Sequence, residues 1–179
     1  MDRGPFPMRT KPLIGAINGA AITGGFELAL NCDFLVASPR ASFADTHARV
    51  GVMPGWGLSV LLPAAIGFRR ARELSLTGNF LDATEAHRLG LVNHLVPHDE
   101  LLRKAISLAG DIAGNQPDGV RQMLATYGRI ERAQLDRGWL IEAEESTRFR
   151  EQSGFDPSEV ERRRAAIVER GRGQLDTGA

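Results

Sequence analysis

Residues Leu13 to Ala37 contain two short apolar runs, LIGAIN and FLVA, separated by a glycine pair and an apolar stretch. Short continuous apolar runs bounded by turn residues read as strands buried on both faces. A strand, a helix and a strand joined by such short connections build an α/β layered core. Inside the connection, Gly24 and Gly25 permit a sharp turn and close approach to a ligand. The helix that begins at Gly25 and runs to Asn31 presents unpartnered N–H groups and a positive dipole end. Glu27 lies in its first turn. Backbone N–H groups that hold a developing negative charge, beside a carboxylate that moves a proton, suit acyl-group chemistry passing through an enolate. A plain turn and an ordinary first-turn glutamate remain open readings of the same residues.

Ser42 to Ala44 reads as a third, brief strand, and Thr46 to Val50 as a turn of helix. Helices are expected over Leu58 to Ile66 and over Arg70 to Leu76, with Gly78 as a C-terminal stop. Asp82 and Glu85 form a capping-box pattern that opens a helix to Leu89, and Leu91 to Val96 reads as a strand. From Pro97 onward the spacing is helical throughout: Leu101 to Ala113, Pro117 to Arg148 with Gly128 and Gly138 as candidate breaks, and Pro157 to Gly171. The tail after Gly171 is expected to fray. The chain thus divides into a strand-rich part, residues 1–96, and a helical region, residues 97–179.

The chain has 179 residues, 42% apolar and 25% charged, which suits a folded domain with its own core. Lys and Arg together number 22, as do Asp and Glu. This balance points away from nucleic acid as a partner. Cys32 is the only cysteine, and residues 1–12 have no apolar signal core. Val50 to Phe68 is uncharged, but Pro54, Pro63 and four glycines interrupt it, so no membrane span is expected there. The expectation is a soluble, cytoplasmic protein.

His47 is a candidate proton carrier because imidazole titrates near neutrality. Asp45 could orient it or could cap the short helix. His87, His94 and His98 lack metal-ligand spacing, so no metal is inferred. The sequence has no phosphate loop and no dinucleotide fingerprint. Arg162–Arg164, Arg170 and Arg172 read as a solvated helix face, and Trp56 and Trp139 as core or interface residues.

Three blocks in order resemble the crotonase family, the enoyl-CoA hydratase/isomerase superfamily: KPLIGAINGAAITGGFELALNCDFLVAS, FADTHARVGVMPGWG and LTGNFLDATEAHRLGLVNHLVP. The resemblance implies the C-terminal portion of a ββα superhelix, followed by helices that build homotrimers, often paired into hexamers. It implies an acyl-CoA thioester substrate, with CoA arriving as part of the substrate and no other cofactor. Gly24 matches an oxyanion-hole donor, and Glu27 matches the carboxylate that activates water. Gly25 and Gly55 match residues lining the substrate. His47 stands where the family carries a second glutamate, which makes it the candidate donor of the Cα proton. Hydration of a trans-2-enoyl-CoA is the implied reaction. Isomerisation, hydrolysis or decarboxylation of an acyl-CoA is the alternative, as is an inactive subunit that only assembles with longer partners. The chain begins where family members are already part-way through, so the second oxyanion donor has no match. The segment GFDPSEVERRRAAIVERGRGQ departs from the family's usual ending.

Overall fold

The chain winds twice through the same unit of two strands and a helix. Strands β1 (Ile14–Ile17) and β2 (Ala20–Ile22) lead into helix α1 (Gly24–Leu30); β3 (Phe34–Ala37) and β4 (Ser42–Ala44) lead into α2 (His47–Val50). The computed structural model describes residues 4–153 and 156–176. β3 lies parallel to β1, with Ile14 opposite Phe34. β4 lies parallel to β2, with Ala20 opposite Ser42. The second turn therefore stacks on the first. Asp33 fixes where the stack begins: its Oδ2 accepts the Leu13 N–H at 2.6 Å, and its Oδ1 pairs with Arg9 at 3.0 Å.

Helices α3 (Leu58–Ile66), α4 (Phe68–Thr77) and α5 (Ala83–Arg88) follow, with β5 (Leu81–Asp82) before α5 and β6 (His94–Leu95) after it. β6 extends one sheet to the order β1-β3-β6, and β5 joins β4 antiparallel to give β2-β4-β5. Sequence reading missed β2 and β5. Three and two residues are too few to show a strand's alternation, and only pairing with β4 makes them strands. The expected strand over Leu91 to Val96 contracts to β6. Asp82 caps α5 as expected, its Oδ1 accepting the Glu85 N–H at 2.8 Å. The Glu85 carboxylate turns instead to Arg88, at 2.6 Å, and does not complete the capping box.

The core lies between the two sheets and helices α1, α3, α4 and α5. Phe26 from α1 and Phe43 from β4 are fully buried and meet at 5.5 Å between ring centres, tilted by 49°. Leu58, Leu62, Ala71, Leu74, Ala83 and Ala86 complete it from α3, α4 and α5. Burial of such apolar surface is the main favourable contribution to folding, at about 25 cal/mol per Å².

Helix α6 (Leu101–Ala113) lies against β1 and β3. Helix α7 (Pro117–Ser153) runs 37 residues without a break at Gly128 or Gly138. Each mid-helix glycine costs about 1 kcal/mol relative to alanine. Gly138 is placed where a Cβ would come to 3.3 Å from Val60 of α3, so its bareness serves close packing. Helix α8 (Pro157–Asp176) continues past Gly171, against the expected fraying there. Gly171 sits against the Phe80 ring, and Gln174 accepts the Phe80 N–H at 3.0 Å. Those contacts hold the last turns on the body; residues 177–179 lie outside the described residues. Arg162 and Arg163 pair with Glu159, as a solvated face would, but Arg170 leaves that face to bond Asn79. Among the described residues, no helix is long and apolar enough to cross a membrane.

Leu62 is fully buried and Leu76 is 81% exposed. Leu62→Ala is expected to lower unfolding free energy by about 2–5 kcal/mol in urea titrations. Leu76→Ala should change it by no more than about 0.5 kcal/mol.

Candidate functional site

Parallel strands β2 and β4 end side by side, and each delivers one piece of a polar cluster. Clefts beyond the carboxyl ends of parallel strands are the usual ligand sites of α/β folds. β2 leads into Thr23 and the start of α1. β4 leads into Asp45, Thr46 and His47. The two exits are tied together, because Thr23 N–H donates to Ala44 O at 3.0 Å. The Thr23 and Thr46 hydroxyls lie 2.5 Å apart.

Thr23 has φ 54° and ψ −115°, the one non-glycine residue with positive φ among the described residues. Such a conformation costs about 1–3 kcal/mol and persists only where its surroundings impose it. Here it turns the chain abruptly from β2 into α1, and its carbonyl accepts the N–H groups of Phe26 and Glu27 at 2.9 and 3.0 Å. Among the described residues, no acceptor meets the N–H groups of Gly24 and Gly25. The Trp56 ring stands beside Gly24, within 3.6 Å of where a Cβ would be.

Glu27 projects from the first turn of α1 into the interior and is only 3% exposed. A buried carboxylate needs local hydrogen bonds or an opposite charge. Its Oε1 accepts the N–H of Gly55 at 3.1 Å and of Trp56 at 2.7 Å. Its Oε2 faces His47 Nε2 at 3.5 Å. Asn31, at the C-terminal cap of α1, donates its side-chain amide to the carbonyls of both Glu27 and Trp56 at 2.8 Å. The loop at Gly55 and Trp56 is thus folded around the Glu27 side chain.

His47 is buried between two carboxylates. Its Nδ1 lies 2.7 Å from Asp45 Oδ1, which also accepts the His47 backbone N–H at 3.1 Å. Asp45 therefore orients the ring and also accepts the first N–H of the short helix, although Thr46 rather than Asp45 occupies the cap position. Burial alone would push the His47 pKa down. The hydrogen bonds and charges of Asp45 and Glu27 outweigh it and raise the pKa to about 9. Burial likewise works against an ionised Asp45, but the bonds from His47 and Ser75 prevail and hold it below the ordinary carboxylate range. At neutral pH the site contains an imidazolium with one N–H anchored and the other directed at Glu27.

All five residues singled out from sequence, Gly24, Gly25, Glu27, His47 and Gly55, come together in this cluster. Sequence reasoning missed Glu142. This residue of α7 is 5% exposed, and its Oε1 and Oε2 accept the N–H groups of Gly57 and Ser59 at 2.6 and 2.7 Å. Trp139, three residues earlier on the same face, packs where a Cβ of Gly57 would be. Gly57 has φ 95°, so both its conformation and its neighbour require glycine. The i, i+3 pairing of Trp139 with an acid was the one available signal, and it is a weak one.

The sequence model of the family described as enoyl-CoA hydratase/isomerase matches residues 8–168. An Arabidopsis thaliana protein named probable enoyl-CoA hydratase 1, peroxisomal, is 44% identical over 161 residues, covering 90% of this chain and 60% of that protein. This chain thus spans 60% of the length of that curated relative. A crystal structure of an enoyl-CoA hydratase from Mycobacterium avium superposes with a TM-score of 0.83 at 52% identity, over 86% of this chain and 68% of that one. A monofunctional enoyl-CoA isomerase from M. smegmatis superposes at 0.64 with 40% identity, over 68% of this chain and 57% of that one.

The His47 pKa is raised in the folded state from an ordinary 6.5 to about 9. Its contribution to stability is therefore complete below about pH 6.5 and is lost as pH rises through about 9, a loss on the order of 3 kcal/mol. Urea titrations across that window should show the decline, and His47→Gln should flatten it. Glu27→Gln removes one of the two facing charges, so the His47 imidazole signals in NMR should titrate at lower pH.

Proposed function

The chain belongs to the enoyl-CoA hydratase/isomerase family, and we propose that its site adds water reversibly to a trans-2-enoyl-CoA thioester. The observation that carries this reading is the buried pair of Glu27 and His47, 3.5 Å apart, beside the open N–H groups of Gly24 and Gly25. Hydration of a conjugated thioester needs a base for water, a donor for Cα and a dipole at the thioester oxygen. Glu27 takes a proton from water as its oxygen bonds to C3. The π electrons move onto the thioester oxygen, where the Gly24 N–H stabilises the enolate. The enolate collapses, and Cα takes the proton from His47 Nε2. Glu27 is then protonated and His47 neutral, and transfer of one proton between the two adjacent groups restores the starting state. CoA comes and goes with the substrate, and Gly25 and Gly55 line the reacting end.

Asp45 keeps the imidazole oriented throughout and favours its cationic form before each turnover. A donor with a pKa near 9 is mostly protonated at neutral pH and is still far more acidic than a thioester Cα–H. A histidine can therefore fill the place of a second glutamate.

A second reading uses the same residues. A proton shuttle beside an oxyanion donor can also move a double bond, and one superposed structure is that of an isomerase. Product analysis separates the two, since hydration yields a 3-hydroxyacyl-CoA and isomerisation gives no added water. The exposed apolar side chains Met123, Tyr127, Ile130 and Leu140 of α7 support a homotrimer, or a pair of trimers, with the helical region as the interface. A cytoplasmic setting belongs to the same proposal, supported by the lone, half-buried thiol of Cys32.

Loss of enoyl-CoA absorbance on adding the protein is the expected result. Glu27→Gln and His47→Gln should each lower kcat by about 10²–10⁴ with a smaller effect on KM. Unchanged kcat in Glu27→Gln would remove the mechanism. Light scattering should give a trimer or hexamer, and a monomer would remove the assembly.

A further inference from the structure

The loop from Gly55 to Ser59 is held from both sides by carboxylates. Glu27 takes the N–H groups of Gly55 and Trp56, and Glu142 takes those of Gly57 and Ser59. α3 starts immediately after Gly57, and no side chain of its own segment caps it. Glu142 supplies that cap from α7, in a bidentate arrangement that charge assistance strengthens. It also meets the positive end of the α3 dipole. Trp139 closes over Gly57, and Gly138 lets α7 approach Val60. The proposed mechanism gives Glu142 no part in the chemistry, yet its carboxylate is as deeply buried as that of Glu27.

We propose that Glu142 is a positioning residue: it fixes the 55–59 loop so that the Gly55 and Trp56 N–H groups hold the Glu27 carboxylate in place. The helical region would then take part in setting the geometry of the site. Adjacent N–H groups on one tight loop cannot move independently. Release of Gly57 and Ser59 loosens the two N–H groups just before them. Glu27 then loses the donors that fix its Oε1, and its Oε2 loses register with His47. This inference rests on the hydration reading for its kinetic consequence but not for its structural one.

The test compares Glu142→Gln, Glu142→Asp and Glu145→Gln in the full chain. Glu145 lies on the same helix, pairs with Arg148 at 2.7 Å and serves as the control. The amide of Glu142→Gln keeps the volume but sets an N–H₂ donor against one of the two loop N–H groups. Three readouts are taken: amide exchange at Gly55 and Trp56, the NMR titration of His47, and kcat with KM on an enoyl-CoA.

Exchange at Gly55 and Trp56 is expected to speed by about tenfold or more in Glu142→Gln relative to α4 amides, as loss of a strong hydrogen-bond anchor would cause. The His47 titration should shift, and kcat should fall by about tenfold with KM within about threefold. Glu142→Asp, which keeps the charge, should recover part of each, and Glu145→Gln should change none. A folded Glu142→Gln with parental exchange and His47 titration would overturn the proposal. If Glu142→Gln does not fold, parental exchange and His47 titration in Glu142→Ala, which removes the carboxylate without adding an opposing donor, overturn it equally. If the parent shows no hydration, the functional reading fails, while the exchange and titration readouts still decide the role of Glu142.

Discussion

A carboxylate taken out of water must have its charge answered locally, and the Glu27 side chain sets that requirement for everything around it. The answers come from three directions. The Gly55 and Trp56 N–H groups meet one oxygen, and the His47 imidazolium faces the other. Asp45 stands behind His47 and keeps it charged. Burial disfavours each ion singly, but the alternation of negative, positive and negative makes the row tolerable. Removal of any member would leave a neighbour uncompensated, so the cluster behaves as a unit.

The sheet pairing makes this row possible. β2 and β4 run parallel and end level, which brings the start of α1 beside Asp45 and His47 although about twenty residues separate them. The strained Thr23 is the cost of that turn. Its backbone and hydroxyl bonds to Ala44 and Thr46 hold it there. Strain and charge compensation are thus coupled: the tie that imposes the unfavourable dihedral also aligns the two ends of the ion row.

Much of this was legible in the sequence, for identifiable reasons. α3 and α6 have the spans their apolar spacing implies, and Asp82 caps α5 as its position suggests. Periodicity and capping are local, so a local reading finds them. β2 and β5 were hidden because their strand character comes from the partner strand. The continuity of α7 through two glycines was hidden because tertiary packing against α3 outweighs local propensity. At the site, Gly24, Glu27 and His47 could be read through the motif blocks. The orientation of His47 by Asp45 was visible as one of two options. Glu142 was hidden because its partners lie across the fold, and a glutamate on a long charged helix looks like any solvated one.

The bond from Gly57 to Glu142 joins positions 85 residues apart. Loops of that length close later than the local turns that form α1 and its neighbours, because the entropy of bringing distant ends together is lost before any contact is gained. The order of assembly follows. The two stacked strand-and-helix turns can gather their apolar core while the loop before α3 is still free to sample other shapes. The docking of α7 then selects one of them. On this order, competence would be the last property the chain acquires and the first it surrenders on unfolding.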